Sequence, residues 1–164
     1  TPRTLFPYTT LFRSVDAVGV PVIAAGGIGD ARGIVAAFAL GASAVQLGTA
    51  YLFCPEAKVT KPHYQALRSA KGSQTALTNI FTGRPARGIV NRIMRELGPI
   101  SDVAPAFPLA GGALMPLRAK SEPQGSGDFM NLWAGQAVGL KHELSADVLT
   151  RLLATQALEQ LTRR

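Results

Sequence analysis

Pro21–Phe53 reads PVIAAGGIGDARGIVAAFALGASAVQLGTAYLF. The run Pro21–Ala25 is apolar, rich in Val and Ile, too short for a helix, and ends on Gly26-Gly27. That is the signature of a buried parallel strand. Asp30 is a good N-cap residue, and Ala31–Leu40 has helical composition, with Ile34, Val35, Ala37 and Phe38 on or near one face. Gly41 is a natural stop for that helix. Ala44–Leu47 is a second short strand, followed by Gly48-Thr49. Strand, helix and strand within about 30 residues make a βαβ unit.

Consecutive parallel strands point the same way, so both glycine-bearing ends open on one sheet edge. Glycine there lets backbone N–H groups come close to an anion. The helix after Gly29 adds its positive end, and Thr49 adds a hydroxyl. Together these make a phosphate cradle that needs no lysine. The plainer alternative stays open: the glycines allow tight turns and nothing more. A dinucleotide fingerprint does not fit, because G-x-G-x-x-G requires glycine where this chain has Arg32. A (β/α)8 barrel, with phosphate on the loops after its seventh and eighth strands, fits better.

The chain has 164 residues, 47% of them hydrophobic and 16% charged, enough for one domain with a core. No apolar run reaches the roughly 18 residues of a membrane helix. The net charge of +7 invites a nucleic-acid reading. The basic residues are scattered, however, with no run of five, and nucleic-acid binding is not expected. One cysteine, Cys54, excludes an internal disulfide framework and a multi-cysteine metal site, and it fits a reducing, cytoplasmic setting. It has no base at motif spacing and reads as a buried, inert thiol.

Thr1–Ser14 (TPRTLFPYTTLFRS) has no acid, no clean period and no signal-peptide layout. It resembles a translated sequencing-adapter read-through. Residues 1–14 are therefore expected to be non-native and are excluded from fold reasoning. Helices are expected over Lys61–Lys71, Gly88–Leu97, Leu109–Arg118 and Ala146–Leu161, the last capped by Ser145 with a stripe of Leu149, Leu152, Leu153, Ala157 and Leu161. Gln74–Thr82 reads as extended, Gly98–Pro108 as a connection, and Ala119–Asp128 as turn-rich and mobile.

Pro21–Phe53, Phe81–Asn91 (FTGRPARGIVN) and Leu132–Leu140 (LWAGQAVGL) resemble, in that order, stretches of the nitronate monooxygenases, formerly called 2-nitropropane dioxygenases. The resemblance covers nearly all of Val15–Arg164. It implies an α/β fold, the C-terminal part of a (β/α)8 TIM barrel with a partly helical lid subdomain. Residues 15–58 would supply the last two βα units, 59–130 the lid, and 131–164 a return segment and a helix packing on the barrel. Such a part leaves sheet edges and an apolar face uncovered.

The resemblance also implies non-covalent FMN, with a small-molecule nitronate and O2 as reactants in an oxidative denitrification. Gly27 would meet the FMN phosphate through its backbone, with Gly26 beside it. Gln46, Leu47, Gly48 and Thr49 match the FMN segment of the eighth strand. Trp133 and Gln136 would border the pocket. Arg84 and Arg87 read as structural, pairing with carboxylates. The family's catalytic base is a histidine in a His-Gly-Gly context. Neither His63 (KPHYQ) nor His142 (LKHEL) has that context; both read as surface residues, and no catalytic residue and no metal site is assigned. The runner-up is an FMN-dependent enoyl reductase of the same barrel superfamily. A non-catalytic fragment or basic binding module is the third reading.

Overall fold

A computed structural model of the chain describes residues 7–163. The first helix, α1, runs Pro7–Ala17 and crosses the boundary placed at residue 14; residues 1–6 lie outside the described part. Strand β1 (Ile23–Ala25), helix α2 (Ala31–Ala39) and strand β2 (Ala44–Gln46) follow as the sequence predicts. The strands pair in parallel, Ile23 with Ala44, Ala24 with Val45 and Ala25 with Gln46. Ser43 N–H extends the ladder to the Val22 carbonyl at 2.8 Å. Asp30 caps α2, its carboxylate accepting from Gly33 N–H at 3.1 Å. Gly41 closes the helix at φ +91°, and a Cβ there would stand 2.8 Å from Val15 Cγ1. Both the left-handed backbone and the packing of α1 demand glycine at that point.

Side-chain alternation gives the two-stranded sheet two unlike faces. Ala24 packs with Ala37, Ala42 and Val45 on the helix side. Ile23 points the other way and is 61% exposed, and Ala25 and Gln46 are exposed with it.

Helix α6 (Ala146–Thr162) lies on α2. Ser145 caps it through Val148 N–H. Leu149, Leu153 and Ala157, spaced by four, are buried with Ile34, Val35, Ala50 and Cys54. Each fully buried leucine contributes roughly 2 kcal/mol. Leu161 is 39% exposed although it continues the stripe. Cys54 is buried as expected, and burial, then the nearby Glu56 charge, push its thiol pKa up, away from reactivity.

The segment between these layers holds α3 (Lys61–Ser69), an antiparallel pair β3 (Thr75–Thr78) and β4 (Ala86–Ile89), α4 (Arg92–Leu97) and α5 (Ala110–Ser121). The helix expected over Gly88–Leu97 begins only at Arg92. Gly88 and Ile89 belong to β4, and Ile89 N–H donates to the Leu132 carbonyl at 2.8 Å. The four-residue spacing of Ile89 and Ile93 joins a strand residue to a helix residue, and Asn91 between them is the N-cap. Helix α5 runs three residues past the expected end, and a 3-10 turn, Glu122–Gln124, follows it inside the stretch read as turns.

Candidate functional site

The loops after β1 and β2 meet on one edge of the sheet, as the parallel pairing requires. They enclose a pocket of about 320 Å³ lined by Ala25, Gly26, Gly27, Ile28, Gln46, Gly48, Thr49, Gly135 and Ala137. Gly26 and Gly27 have φ of +90° and +75°, a conformation that disfavours any side chain. A Cβ on Gly26, Gly27 or Gly48 would meet no protein atom within 4 Å. These glycines are therefore not forced by packing. The N–H groups of Gly27, Gly48 and Thr49 meet no acceptor among the described residues. Thr49 Oγ1 accepts from Gly135 N–H at 2.8 Å, so its own hydrogen is left to donate. The pocket thus presents donors and no carboxylate, the set a phosphate group requires.

The helix end contributes less than the sequence suggests. Asp30 already occupies the N-terminus of α2. Burial pushes its carboxyl up, but the Arg32 guanidinium, with Nε at 2.8 Å, and the Gly33 N–H outweigh this and hold it below the usual carboxylate range. The aspartate therefore stays ionised and uses part of the helix dipole itself.

The remaining sequence candidates are placed as follows. Gln46 is exposed beside the loops, on the face opposite α2. Leu47 is half-buried, with its side chain packed into the α2–α6 core. Trp133 stacks edge-on against Phe81, centroids 5.6 Å apart, and Gln136 is exposed. Neither is among the residues lining the pocket; Gly135 and Ala137, on either side of Gln136, are. Gly135 was missed because a glycine that contributes only its N–H leaves no residue-type signal. Arg84 and Arg87 are structural, but not through carboxylates. Arg84 lies over the Phe107 ring at 4.4 Å, and Arg87 donates to the Thr75 carbonyl at 3.1 Å.

Both histidines depart from the surface reading. Each is half-buried and sits on a backbone carbonyl: His63 Nε2 is 3.0 Å from Trp133 O, and His142 Nε2 is 3.1 Å from Gly29 O. A carbonyl oxygen only accepts, so Nε2 carries the proton in both rings. Those nitrogens are donors and not bases. Between them the segment Trp133–His142 is tied to β4 through Ala134 N–H and the Arg87 carbonyl, and to α3 through Lys141 and the Arg68 carbonyl.

His63 gives a pH dependence. Burial lowers its pKa below the ordinary 6.5, and the Trp133 carbonyl opposes this only in part. As pH falls through 6.5, the unfolded chain takes up a proton that the folded chain resists. The stability present above that pH is then progressively lost. His63→Gln, which keeps a donor and cannot titrate, is expected to flatten the decline between pH 7.5 and 5.5 in urea unfolding. An unchanged slope would assign the decline to other groups.

A parallel βα arrangement with its glycine-bearing loops meeting around a pocket at the strand ends defines an α/β protein. The chain belongs to the nitronate monooxygenase family, which it matches over residues 8–155. It is 42% identical to the nitronate monooxygenase of Pseudomonas aeruginosa over 138 residues, 84% of this chain and 39% of that protein. It is 37% identical to a probable nitronate monooxygenase of Staphylococcus saprophyticus, over 91% of this chain and 42% of that one. Among solved structures, the nitroalkane oxidase of Streptomyces ansochromogenes superposes with TM-score 0.86 at 42% identity, over 96% of this chain and 45% of that chain. FabK from Thermotoga maritima superposes with TM-score 0.76 at 26% identity. The chain therefore spans about two fifths of the curated relatives it matches. No helix among the described residues is long and apolar enough to cross a membrane.

Proposed function

We propose that this chain forms the FMN-phosphate side of a nitronate monooxygenase, an enzyme that denitrifies alkyl nitronates with O2. The carrying observation is the set of backbone N–H groups on the two loops, those of Gly27, Gly48 and Thr49 among them, left without acceptors beside a pocket free of carboxylates. Those groups and the Thr49 hydroxyl would hold the phosphate. The Gln46 amide would meet the ribityl chain or ring edge, and Leu47 would contribute backbone alone. Gly26 would permit the turn. Trp133 and Gln136 would border the nitronate side through the segment that carries them. When bound, the flavin supplies the redox chemistry between nitronate and O2; the protein supplies binding and orientation. No residue of this chain is assigned as the base, since neither His63 nor His142 stands in a His-Gly-Gly context.

On this reading β1 and β2 are the last two strands of a (β/α)8 barrel, and the exposed Ile23 face is its interior. Residues 59–130 act as a lid that keeps water from the flavin. The lone buried thiol supports a cytoplasmic location. The test is flavin binding to the full chain. FMN is expected to bind at least about a hundredfold more tightly than riboflavin, since several charge-assisted hydrogen bonds go to the phosphate. Equal affinities would refute the cradle. NADH consumption with an enoyl thioester, in place of O2 consumption with a nitronate, would transfer the assignment to the enoyl reductases.

A further inference from the structure

We infer that His142 is a positioning residue for the phosphate cradle, fixing the Gly29 carbonyl and with it the loop Gly26–Asp30. This rests on the cradle reading and adds the residue that sets the loop's conformation. Two consecutive left-handed glycines, with no protein atom near their missing side chains, give the loop little to hold it at its upstream end. Its restraints lie downstream. Asp30 is fixed by capping α2. Gly29 is pressed against Ala137 and Leu140, where a Cβ would stand 3.1 Å from Ala137 Cβ and 3.1 Å from Leu140 Cδ1. The Gly29 carbonyl accepts from His142 Nε2.

His142 is itself well anchored. The preceding 3-10 turn, Gln136–Gly139, is closed by Val138 N–H to the Gly135 carbonyl and Leu140 N–H to the Ala137 carbonyl, at 3.1 and 2.8 Å. Val138 is fully buried. The same segment therefore supplies one pocket wall, Gly135 and Ala137, and the donor that orients the facing loop. Without the imidazole, the Gly29 carbonyl loses its donor, and the loop that carries the Gly27 N–H is left with only the packing of Gly29 and the Asp30 cap to hold it.

The readout is the ratio of FMN to riboflavin affinity, measured by flavin fluorescence quenching on the full chain, since riboflavin lacks only the phosphate. His142→Ala is expected to weaken FMN binding about five- to tenfold, the worth of one hydrogen bond, with riboflavin unchanged. His142→Gln, whose amide N–H reaches the same carbonyl, restores the ratio. Lys141→Ala, which releases the neighbouring tie to Arg68, leaves it unchanged. His142→Asn is too short to reach and gives the same reading as alanine should the alanine variant not fold. An unchanged ratio in the alanine and asparagine variants, or equal loss for both flavins, overturns the inference and leaves the cradle standing. A wild-type chain that does not prefer FMN overturns the cradle, and the inference with it.

Discussion

Gly48→Val is expected to weaken FMN binding by at least about a hundredfold while leaving the melting temperature nearly unchanged, because it removes a close backbone approach and leaves the core intact. The backbone at Gly48 has φ −111° and ψ −71°, so it is not in the left-handed region that excludes a side chain. A Cβ there would meet no protein atom within 4 Å, so the protein has room for it. Glycine is not required for folding at this position, yet Gly48 lines the pocket and its N–H has no acceptor among the described residues. Gly27→Val would be a poorer probe, since φ +75° makes any side chain costly whether or not a ligand binds. Calorimetric titration with FMN, beside a thermal melt, separates the two effects. A variant that binds FMN like wild type shows that the phosphate lies elsewhere. A variant that loses both binding and melting temperature shows a structural role for Gly48 instead.

That contrast between glycines marks what the sequence makes legible. A βαβ unit is local: strand, cap, helix, stop and strand lie within Pro21–Leu47, and each boundary is set by a residue whose chemistry is its own, Asp30 and Gly41 above all. The place of the proposed cradle follows from that unit, because parallel pairing alone brings Gly27 and Gly48 to one edge. Helix α6 is equally local, capped by Ser145 and striped at four-residue spacing. What fails to read are features made by distant partners. Gly88 and Ile89 become strand because Thr75–Thr78 and Leu132 offer them ladder partners far away in sequence. The histidines look superficial because their partners, the Gly29 and Trp133 carbonyls, are backbone atoms 113 and 70 residues away. A backbone carbonyl has no residue type, so no motif could announce either bond. Trp133 is placed by Phe81 for the same kind of reason, and its segment reaches the pocket through Gly135, which carries no side chain at all.

Asn91 carries the largest expected effect on stability. It is 6% exposed, and its side chain does three things at once. Oδ1 accepts from Met94 N–H as the cap of α4, and Nδ2 donates to the Gly127 and Met130 carbonyls at 2.9 and 2.8 Å. Those carbonyls belong to the turn that leads into Leu132 and Trp133, so one amide joins β4, α4 and the approach to the pocket wall. Asn91→Ala removes a cap worth about 1 kcal/mol and two donors to buried or half-buried carbonyls, together about 3–4 kcal/mol. That is a large share of the roughly 5–15 kcal/mol of a typical domain. Two further variants separate the contributions. Asn91→Ser keeps a capping oxygen in a smaller side chain and is expected to lose about 2 kcal/mol. Asn91→Asp keeps shape and cap but turns a carboxylate oxygen toward two carbonyls, and is expected to be worse than serine although it is closer in size. Urea unfolding of the four proteins at pH 7 gives the order Asn, Ser, then Ala and Asp. An aspartate variant within about 1 kcal/mol of wild type would show that the two carbonyls do not need the amide, leaving the cap as the reason for asparagine at this position.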